Sequence, residues 1–312
     1  MQIIRNIHNL HPAENCVATI GNFDGVHLGH QAVLRNLITR SKVLGLPSTV
    51  VTFEPQPQEY FFKHKAPPRL TRLREKLTAM QKLGIDRVLL LPFTDKLVAM
   101  AAETFIEQIL VQKLAVKFLF VGDDFQFGRW RHGDFKLLQD KGSIYGFQVE
   151  NHQTMRFEGE RISSTRIREA LRCGNLTMAN SLLGRSYHLC GRVGHGAKRG
   201  RKLGYPTANI DLHRYVSPVR GVFGVKAFLD ENVSWLGVAN IGQRPTITGD
   251  NRILLEVFLF DFEGDLYHKH LTVELLCKLR DEQKFHSLDE LSYQIGKDTT
   301  KARAMLATIG NN

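Results

Sequence analysis

Along the first half of the chain, apolar and polar positions follow a strand–helix rhythm. Val17–Ile20 is a short apolar run that stops at Gly21. Gln31–Lys42 places Val33, Leu34, Leu37 and Ile38 at helical spacing. Ser48–Phe53 is β-branched and strand-like. Thr71–Leu83 repeats Leu73, Leu77, Met80 and Leu83 and ends at Gly84, a helix-terminating glycine. The same reasoning predicts a strand over Val88–Leu91, a helix over Glu103–Leu114 and a strand over Val116–Val121. A short helix over Phe135–Lys141 and a strand over Ile144–Val149 follow. Near-continuously apolar strands separated by helices predict a parallel sheet covered on both faces. Helices over Ser164–Arg172 and Asn175–Leu183 close this region.

The pattern changes near Gly184. Strand-like runs now follow one another at Tyr187–Val193, Val222–Leu229, Ser234–Ala239, Ile253–Phe260 and Leu271–Leu279. Several alternate with period two, and turns such as Glu263-Gly264-Asp265 separate some of them, which predicts an antiparallel barrel. Helices from about Leu288 and from about Thr300 finish the chain. The reading is therefore two domains, an α/β domain over 1–183 and a β-barrel domain with C-terminal helices over 184–312.

Composition agrees with two buried cores, since the 312 residues are 43% hydrophobic. No apolar run approaches the roughly 20 residues that span a bilayer, and Met1–Leu10 has no secretory apolar stretch. Cys16, Cys173, Cys190 and Cys277 are widely spaced, without metal-ligand spacing. They read as buried or half-buried free thiols of a reducing compartment, and the protein as cytoplasmic. The formal charge of +11 suits a polyanionic partner such as nucleotide phosphates or nucleic acid. It comes in short groups: Arg69/Arg72/Arg74/Lys76, Arg161/Arg166/Arg168/Arg172 and Lys198/Arg199/Arg201/Lys202. Solvated helix faces would account for the first group and part of the second; the third is interleaved with glycines.

Three segments of the first domain carry chemistry. The first strand runs into Gly21-Asn22-Phe23-Asp24-Gly25-Val26-His27-Leu28-Gly29-His30, and a helix follows. Such a corner offers backbone N–H groups and a helix N-terminus to a phosphate. His27 and His30 would point the same way, and Gly29 leaves room for a nucleotide. Gly122–Gly128, containing Asp124, follows a strand, where open α/β sheets bind ligands. In Arg161-Ile162-Ser163-Ser164-Thr165-Arg166-Ile167-Arg168, the serines and threonine can cap a helix, and Arg161 and Arg168 suit a triphosphate.

These segments resemble the signatures of bacterial FMN adenylyltransferase modules in the nucleotidylyltransferase superfamily. The resemblance implies a Rossmann-like fold and in-line attack of the FMN phosphate on the α-phosphorus of Mg-ATP, releasing pyrophosphate. His27 and His30 would stabilise the transition state. Arg161, Ser164 and Thr165 would hold the outgoing phosphates, with Gly21, Phe23, Gly29, Asp124 and Arg168 completing the nucleotide site. Asp24 would fix the turn or lie near the metal.

The second domain opens on Gly191–Asn209, with glycines at 194, 196, 200 and 204 between cations. Close backbone approach and positive charge favour phosphate, and no Walker A spacing is present. The end of this stretch, Gly204-Tyr205-Pro206-Thr207-Ala208-Asn209, resembles the GxPTAN motif of riboflavin kinases. Gly237–Thr246, Leu255-Glu256-Val257 and Leu279–Phe285 also match that family. The resemblance implies that Thr207 and Asn209 carry Mg²⁺ and phosphate oxygens, that Gly196 and Gly204 lie along the nucleotide, and that Arg280, Glu282 and Phe285 line the flavin. Glu256 would be the general base for the ribityl 5′-hydroxyl. It sits in an apolar run, so burial is expected to raise its pKa. Many relatives have His where this chain has Phe258.

Read as a whole, the chain resembles the bacterial bifunctional riboflavin kinase/FMN adenylyltransferases. Riboflavin, FMN and ATP are its expected small-molecule partners and FAD its final product, with neither nucleic acid nor membrane as a partner. Oligomeric state stays open, a homo-oligomer included. The competing reading is a flavin-sensing, nucleic-acid-binding regulator, which accounts for the charge but not for two motif sets on two domain classes.

Overall fold

The computed structural model describes residues 1–9, 14–122, 124–196, 204–212, 216–229, 233–245 and 251–309. The basic group from Lys198 to Lys202, Gly200, Asp123 and Thr246 lie outside the described residues. The chain divides into two compact units: Met1–Pro67 with Thr71–Ser164, and Pro68–Leu70 with Thr165–Asn312.

The first unit runs β1 (Gln2–Arg5), β2 (Cys16–Ile20), α1 (Leu28–Leu44), β3 (Ser48–Glu54), α2 (Pro57–Phe62), α3 (Leu73–Leu83), β4 (Arg87–Pro92), α4 (Asp95–Val98) and α5 (Ala102–Phe105). The last continues in π-helical form over Ile106–Lys113. Then come β5 (Val116–Val121), α6 (Phe135–Tyr145), β6 (Gln148–Asn151) and the small hairpin β7 (Arg156–Phe157) with β8 (Glu160–Arg161). The six-stranded sheet has the order β1-β4-β3-β2-β5-β6, and every pairing is parallel. Ala18, Val51, Leu89 and Leu119 pack in one buried cluster, and Val17, Val50, Val88 and Phe118 in another. Alternate residues of the same strands thus serve two cores, the double coverage that the apolar strands predict. The order reverses at β2, with β3 on one side and β5 on the other. The crevice beyond the carboxyl ends of β2 and β5 is where open α/β sheets take ligands.

Gly84 adopts the left-handed cap expected of it, with φ at 92°. The strand expected over Ile144–Val149 begins only at Gln148, because Ile144 and Tyr145 close α6, exposed, before Gly146 turns left-handed. The helix α7 (Ser164–Arg172) follows the hairpin; the division of the chain falls after its first residue.

The second unit holds α8 (Leu176–Leu183), β9 (His188–Gly194), β10 (Thr207–Asp211), β11 (Gly221–Phe228), β12 (Ser234–Pro245), β13 (Asn251–Leu259), β14 (His270–Arg280) and α9 (Leu288–Ile309). The strands close a barrel in the order β10-β13-β12-β11-β14-β9, all antiparallel. Ile210, Leu255 and Val273 are fully buried and alternate with half-buried neighbours, and Phe223 and Ile241 are fully buried too. The two expected C-terminal helices are one: α9 runs unbroken and buries Ala302 and Leu306 against Val222, Phe260, Cys277 and Leu279. No disulfide forms. Cys16 and Cys277 are buried as expected, whereas Cys173 is exposed.

Candidate functional site

The β2–α1 corner is held in an unusual backbone conformation. Phe23 and Val26, neither of them glycine, have φ of 48° and 42°, and Gly25 between them has 87°. Such conformations persist only where the surroundings over-determine them. Here Asp24 is buried, and its Oδ1 accepts from the Thr71 backbone N–H at 3.0 Å. The Gly25 N–H donates to Thr71 Oγ1 at 2.9 Å, and the Ser164 hydroxyl donates to the Asp24 carbonyl at 2.9 Å. The turn delivers His27 as the N-cap of α1, its Nδ1 accepting from the His30 backbone N–H at 3.2 Å. The two imidazoles stack with centroids 3.6 Å apart and planes 15° from parallel. A side chain on Gly29 would come within 3.2 Å of the His27 ring, and one on Gly21 within 3.1 Å of the Phe23 ring, so either would make its ring give by a few tenths of an ångström. Burial, and after it the charges of His27, Lys76, His152 and Arg161, hold His30 well below the ordinary histidine value. His30 is thus neutral in the free protein, and its buried Nδ1 has no hydrogen-bond partner among the described residues.

Across the crevice at the end of β5, Asp124 pairs with Arg161 at 2.9 Å, and that guanidinium holds its carboxyl below the usual range. Ser164 is the first residue of α7 and spends its hydroxyl on Asp24 rather than on its own helix. Thr165 is exposed on the next position of that helix. Arg168 donates through Nε to the Pro68 carbonyl at 2.7 Å.

Three features here escaped the sequence reading. Lys76, read as part of a solvated helix face, is fully buried, and its Nζ donates to the Asn22 carbonyl at 2.6 Å. Its spacing was the available signal, three residues after Leu73 and four before Met80, on the inward stripe of α3. His152 follows β6 and acts electrostatically on both His30 and Asp124. Beyond the carboxyl ends of β3 and β4, Tyr60, Phe61 and Phe53 each meet Phe93 edge-on at 5.4–5.8 Å, with Phe61 exposed.

In the barrel, strand register assembles the site. Asn209 of β10 pairs with Gly194 of β9 and with Glu256 of β13, and Glu256 pairs in turn with Asn240 of β12. The same row continues through Val222 to Arg280 of β14. Thr207 stands two residues from Asn209 on the same face, opposite Phe258, whose ring meets Tyr205 edge-on at 5.3 Å. The expected burial of Glu256 is not found. It is half-buried and shares its face with Leu254 and Phe258, while Ile253, Leu255 and Val257 take the buried side. Period-two alternation wins over the locally apolar composition.

The Asn209 amide donates to the Thr207 carbonyl at 3.2 Å, and its buried Oδ1 has no partner among the described residues. Gly196 lies so close that a methyl group there would fall 2.4 Å from the Asn209 side chain. Gly204 has φ of 83°, the left-handed region that favours glycine. Arg280 forms a bidentate pair with Asp298 of α9, Nη2 donating to Oδ2 at 2.8 Å and Nε to Oδ1 at 3.1 Å, and its guanidinium faces the Phe285 ring at 5.7 Å. Asp298, which the sequence reading missed, is buried and also accepts from Gln294. The Glu282 carboxylate rests on Gly242, and partial burial raises its pKa against the pull of Arg220.

The described residues contain no cluster of three or more His, Cys, Asp or Glu able to hold a metal, and no helix among them is long and apolar enough to cross a membrane. Among solved structures, a Streptococcus pneumoniae protein described as a macrolide-efflux protein matches with a TM-score of 0.81 and 29% identity, over 96% of this chain and 97% of that one. The bifunctional riboflavin kinase/FMN adenylyltransferase of Pseudomonas fluorescens is 51% identical over 308 residues, 98% of each chain. That of Escherichia coli (strain K12) is 52% identical over 305 residues, 97% of each. The FAD synthetase family model matches residues 10–166 and the riboflavin kinase family model residues 183–306, one set of assembled polar groups falling within each, so the chain belongs to the bifunctional riboflavin kinase/FMN adenylyltransferase family.

Proposed function

We propose that the chain phosphorylates riboflavin to FMN with one ATP and adenylylates FMN with a second, giving FAD and pyrophosphate. The observation that carries this reading is the cross-strand row Asn209–Glu256–Asn240, a carboxylate flanked by amides on one face of a closed barrel. In the kinase step Glu256 takes the proton of the ribityl 5′-hydroxyl, and the freed oxygen attacks the γ-phosphorus of ATP as the bond to the β,γ-bridging oxygen breaks and ADP leaves. The Thr207 hydroxyl and the unpartnered Asn209 Oδ1 are hard donors that fit Mg²⁺. Bound there, the ion supplies charge neutralisation on the phosphates. Gly196 and Gly204 leave the nucleotide room, and Arg280, Glu282 and Phe285 line the flavin side.

For adenylyl transfer no protein nucleophile is needed, because the FMN phosphate is itself the attacking group. His27 and His30 stabilise the charge that grows on the α-phosphate. Arg161, Ser164 and Thr165 receive the departing phosphates, with Asp124 orienting Arg161 and with Gly21, Phe23, Gly29 and Arg168 completing the nucleotide site. The aromatic group around Phe93 offers stacking faces to the flavin ring. The two activities divide near residues 183–187, and the enzyme works in the cytoplasm with small molecules rather than nucleic acid. Incubation with riboflavin and Mg-ATP, followed by chromatography over time, tests the reading. FMN should appear first and FAD after it, and flavin that binds but stays unchanged would sink it in favour of a flavin sensor.

A further inference from the structure

Lys76 is among the bulkiest side chains wholly removed from solvent, at 0% exposure. It lies on α3 between Leu73 and Leu77, where packing alone would be served by methionine or leucine. An ammonium there has lost its hydration and needs fixed acceptors in return. One acceptor is the Asn22 carbonyl, at 2.6 Å, and the Thr52 hydroxyl donates more weakly to the same oxygen at 3.4 Å. Asn22 is the residue immediately before the left-handed Phe23. Because the peptide unit is planar and trans, drawing the Asn22 carbonyl toward Lys76 turns the Phe23 N–H the opposite way. Thr71, five residues before Lys76, holds the next two residues, Asp24 and Gly25. Thr71, just before α3, and Lys76 within it therefore hold Asn22, Asp24 and Gly25 of the turn that aims His27 and His30. The Lys76 charge also reaches His30, together with those of His27, His152 and Arg161.

We propose that Lys76 is a positioning residue for adenylyl transfer, which pins the Asn22 carbonyl so that the corner keeps its strained shape and lends the stacked imidazoles a buried positive charge. This rests on reading the corner as the adenylyl-transfer site. If the wild-type chain makes no FAD from FMN, that reading fails; if it does and the variants below behave as wild type, only the role of Lys76 fails.

The test is Lys76→Met in the full chain, which keeps length and packing but removes the charge and the donor. FAD formation from added FMN should fall in kcat by about 10- to 100-fold, the scale of a small misplacement of reacting groups. Riboflavin phosphorylation should stay within about twofold of wild type, since it uses other residues. A merely structural role would not move the His30 titration. Loss of the neighbouring charge should shift it, read by NMR of the imidazole, and the acidic limb of FAD formation to higher pH. Unchanged kcat and an unchanged titration overturn the proposal. Should Lys76→Met not fold, Lys76→Gln keeps a polar side chain there but removes the charge and shortens the reach to the Asn22 carbonyl. It should slow FAD formation about threefold or more and move the His30 titration to higher pH, and wild-type rates with an unmoved titration in that variant overturn the proposal equally.

Discussion

Glu256 and Asn209 are direct cross-strand partners on the half-buried face of the barrel, one carboxylate beside one amide whose carbonyl oxygen has no partner among the described residues. Their neighbourhood is set by register, not by any hydrogen bond between the side chains.

If Glu256 takes the ribityl proton, Glu256→Gln should keep shape and binding while removing proton acceptance. General-base catalysis is worth about 10²–10⁴ in rate. Single-turnover FMN production should fall by that order, while FAD production from added FMN should be unaffected. Near-wild-type phosphorylation would remove Glu256 from the mechanism.

Gly196→Ala places a methyl group 2.4 Å from the Asn209 side chain. Either the amide or the loop must move, so riboflavin phosphorylation should drop about tenfold or more, with Mg-ATP affinity reduced. The readout is kcat and KM for ATP in the kinase reaction; no change in either would mean that Asn209 does not need its present position.

His30→Gln should slow FAD formation by roughly 10²–10³, the cost of losing one transition-state donor, and leave FMN formation almost intact. Its folding effect has a definite sign. Burial first, then neighbouring charges, keep the folded His30 neutral below the ordinary value of 6.5, while the unfolded chain takes up a proton there. The unfolded state binds more protons in that range, so stability should decrease as pH falls below 6.5, and the effect should vanish above it. Melting curves from about pH 7.5 to about pH 5.5 should show a shallower acid slope in the variant; identical slopes would contradict the assignment.

Asp298→Ala strands Arg280 beside an apolar helix face. Removing one partner of a buried pair costs about 3–5 kcal/mol, and the remaining exposure of the Arg280 side chain, 20%, argues for the lower end. Denaturant unfolding of the variant should show that loss together with weaker riboflavin binding. Stability within about 0.5 kcal/mol of wild type would mean that α9 is held without this pair, by its apolar contacts, the Lys301 bond to the Leu279 carbonyl and the Arg303–Asp261 pair.

The fold was legible wherever apolar residues run unbroken through a short segment or recur at helical spacing. The β2, β3, β4 and β5 strands and α1, α3 and α7 follow directly from apolar spacing. β10 did not, because Thr207–Asp211 is only five residues long and follows Pro206; its alternation of Ala208 and Ile210 with polar residues is too short a run to stand out, and its pairing with β9 and β13 makes it a strand. The C-terminal helix was split in the sequence reading near Thr299-Thr300, where local propensity is weak. Packing of Ala302 and Leu306 on the barrel carries it through. At the sites, the first-domain motif singles out His27 and His30 and the family resemblance singles out Thr207 and Asn209, but neither points to residues that support them from another element. Lys76, Thr71, His152 and Asp298 are remote in sequence from what they touch or polarise, and each resembles an ordinary polar residue until the fold is known.

The alternation of the barrel works as a reading frame. Ala208 faces Val257 and Ile210 faces Leu255, all four buried, while Asn209 faces Glu256 between them. A slip of one residue in β13 would export Ile253, Leu255, Val257 and Leu259 from the core and import the carboxylate, so it cannot occur quietly. The apolar residues that never meet a substrate therefore act as the index by which the polar ones find their partners. An insertion or deletion in β13 should be more damaging than most substitutions at Glu256 itself, because it changes the message at every position downstream instead of one letter.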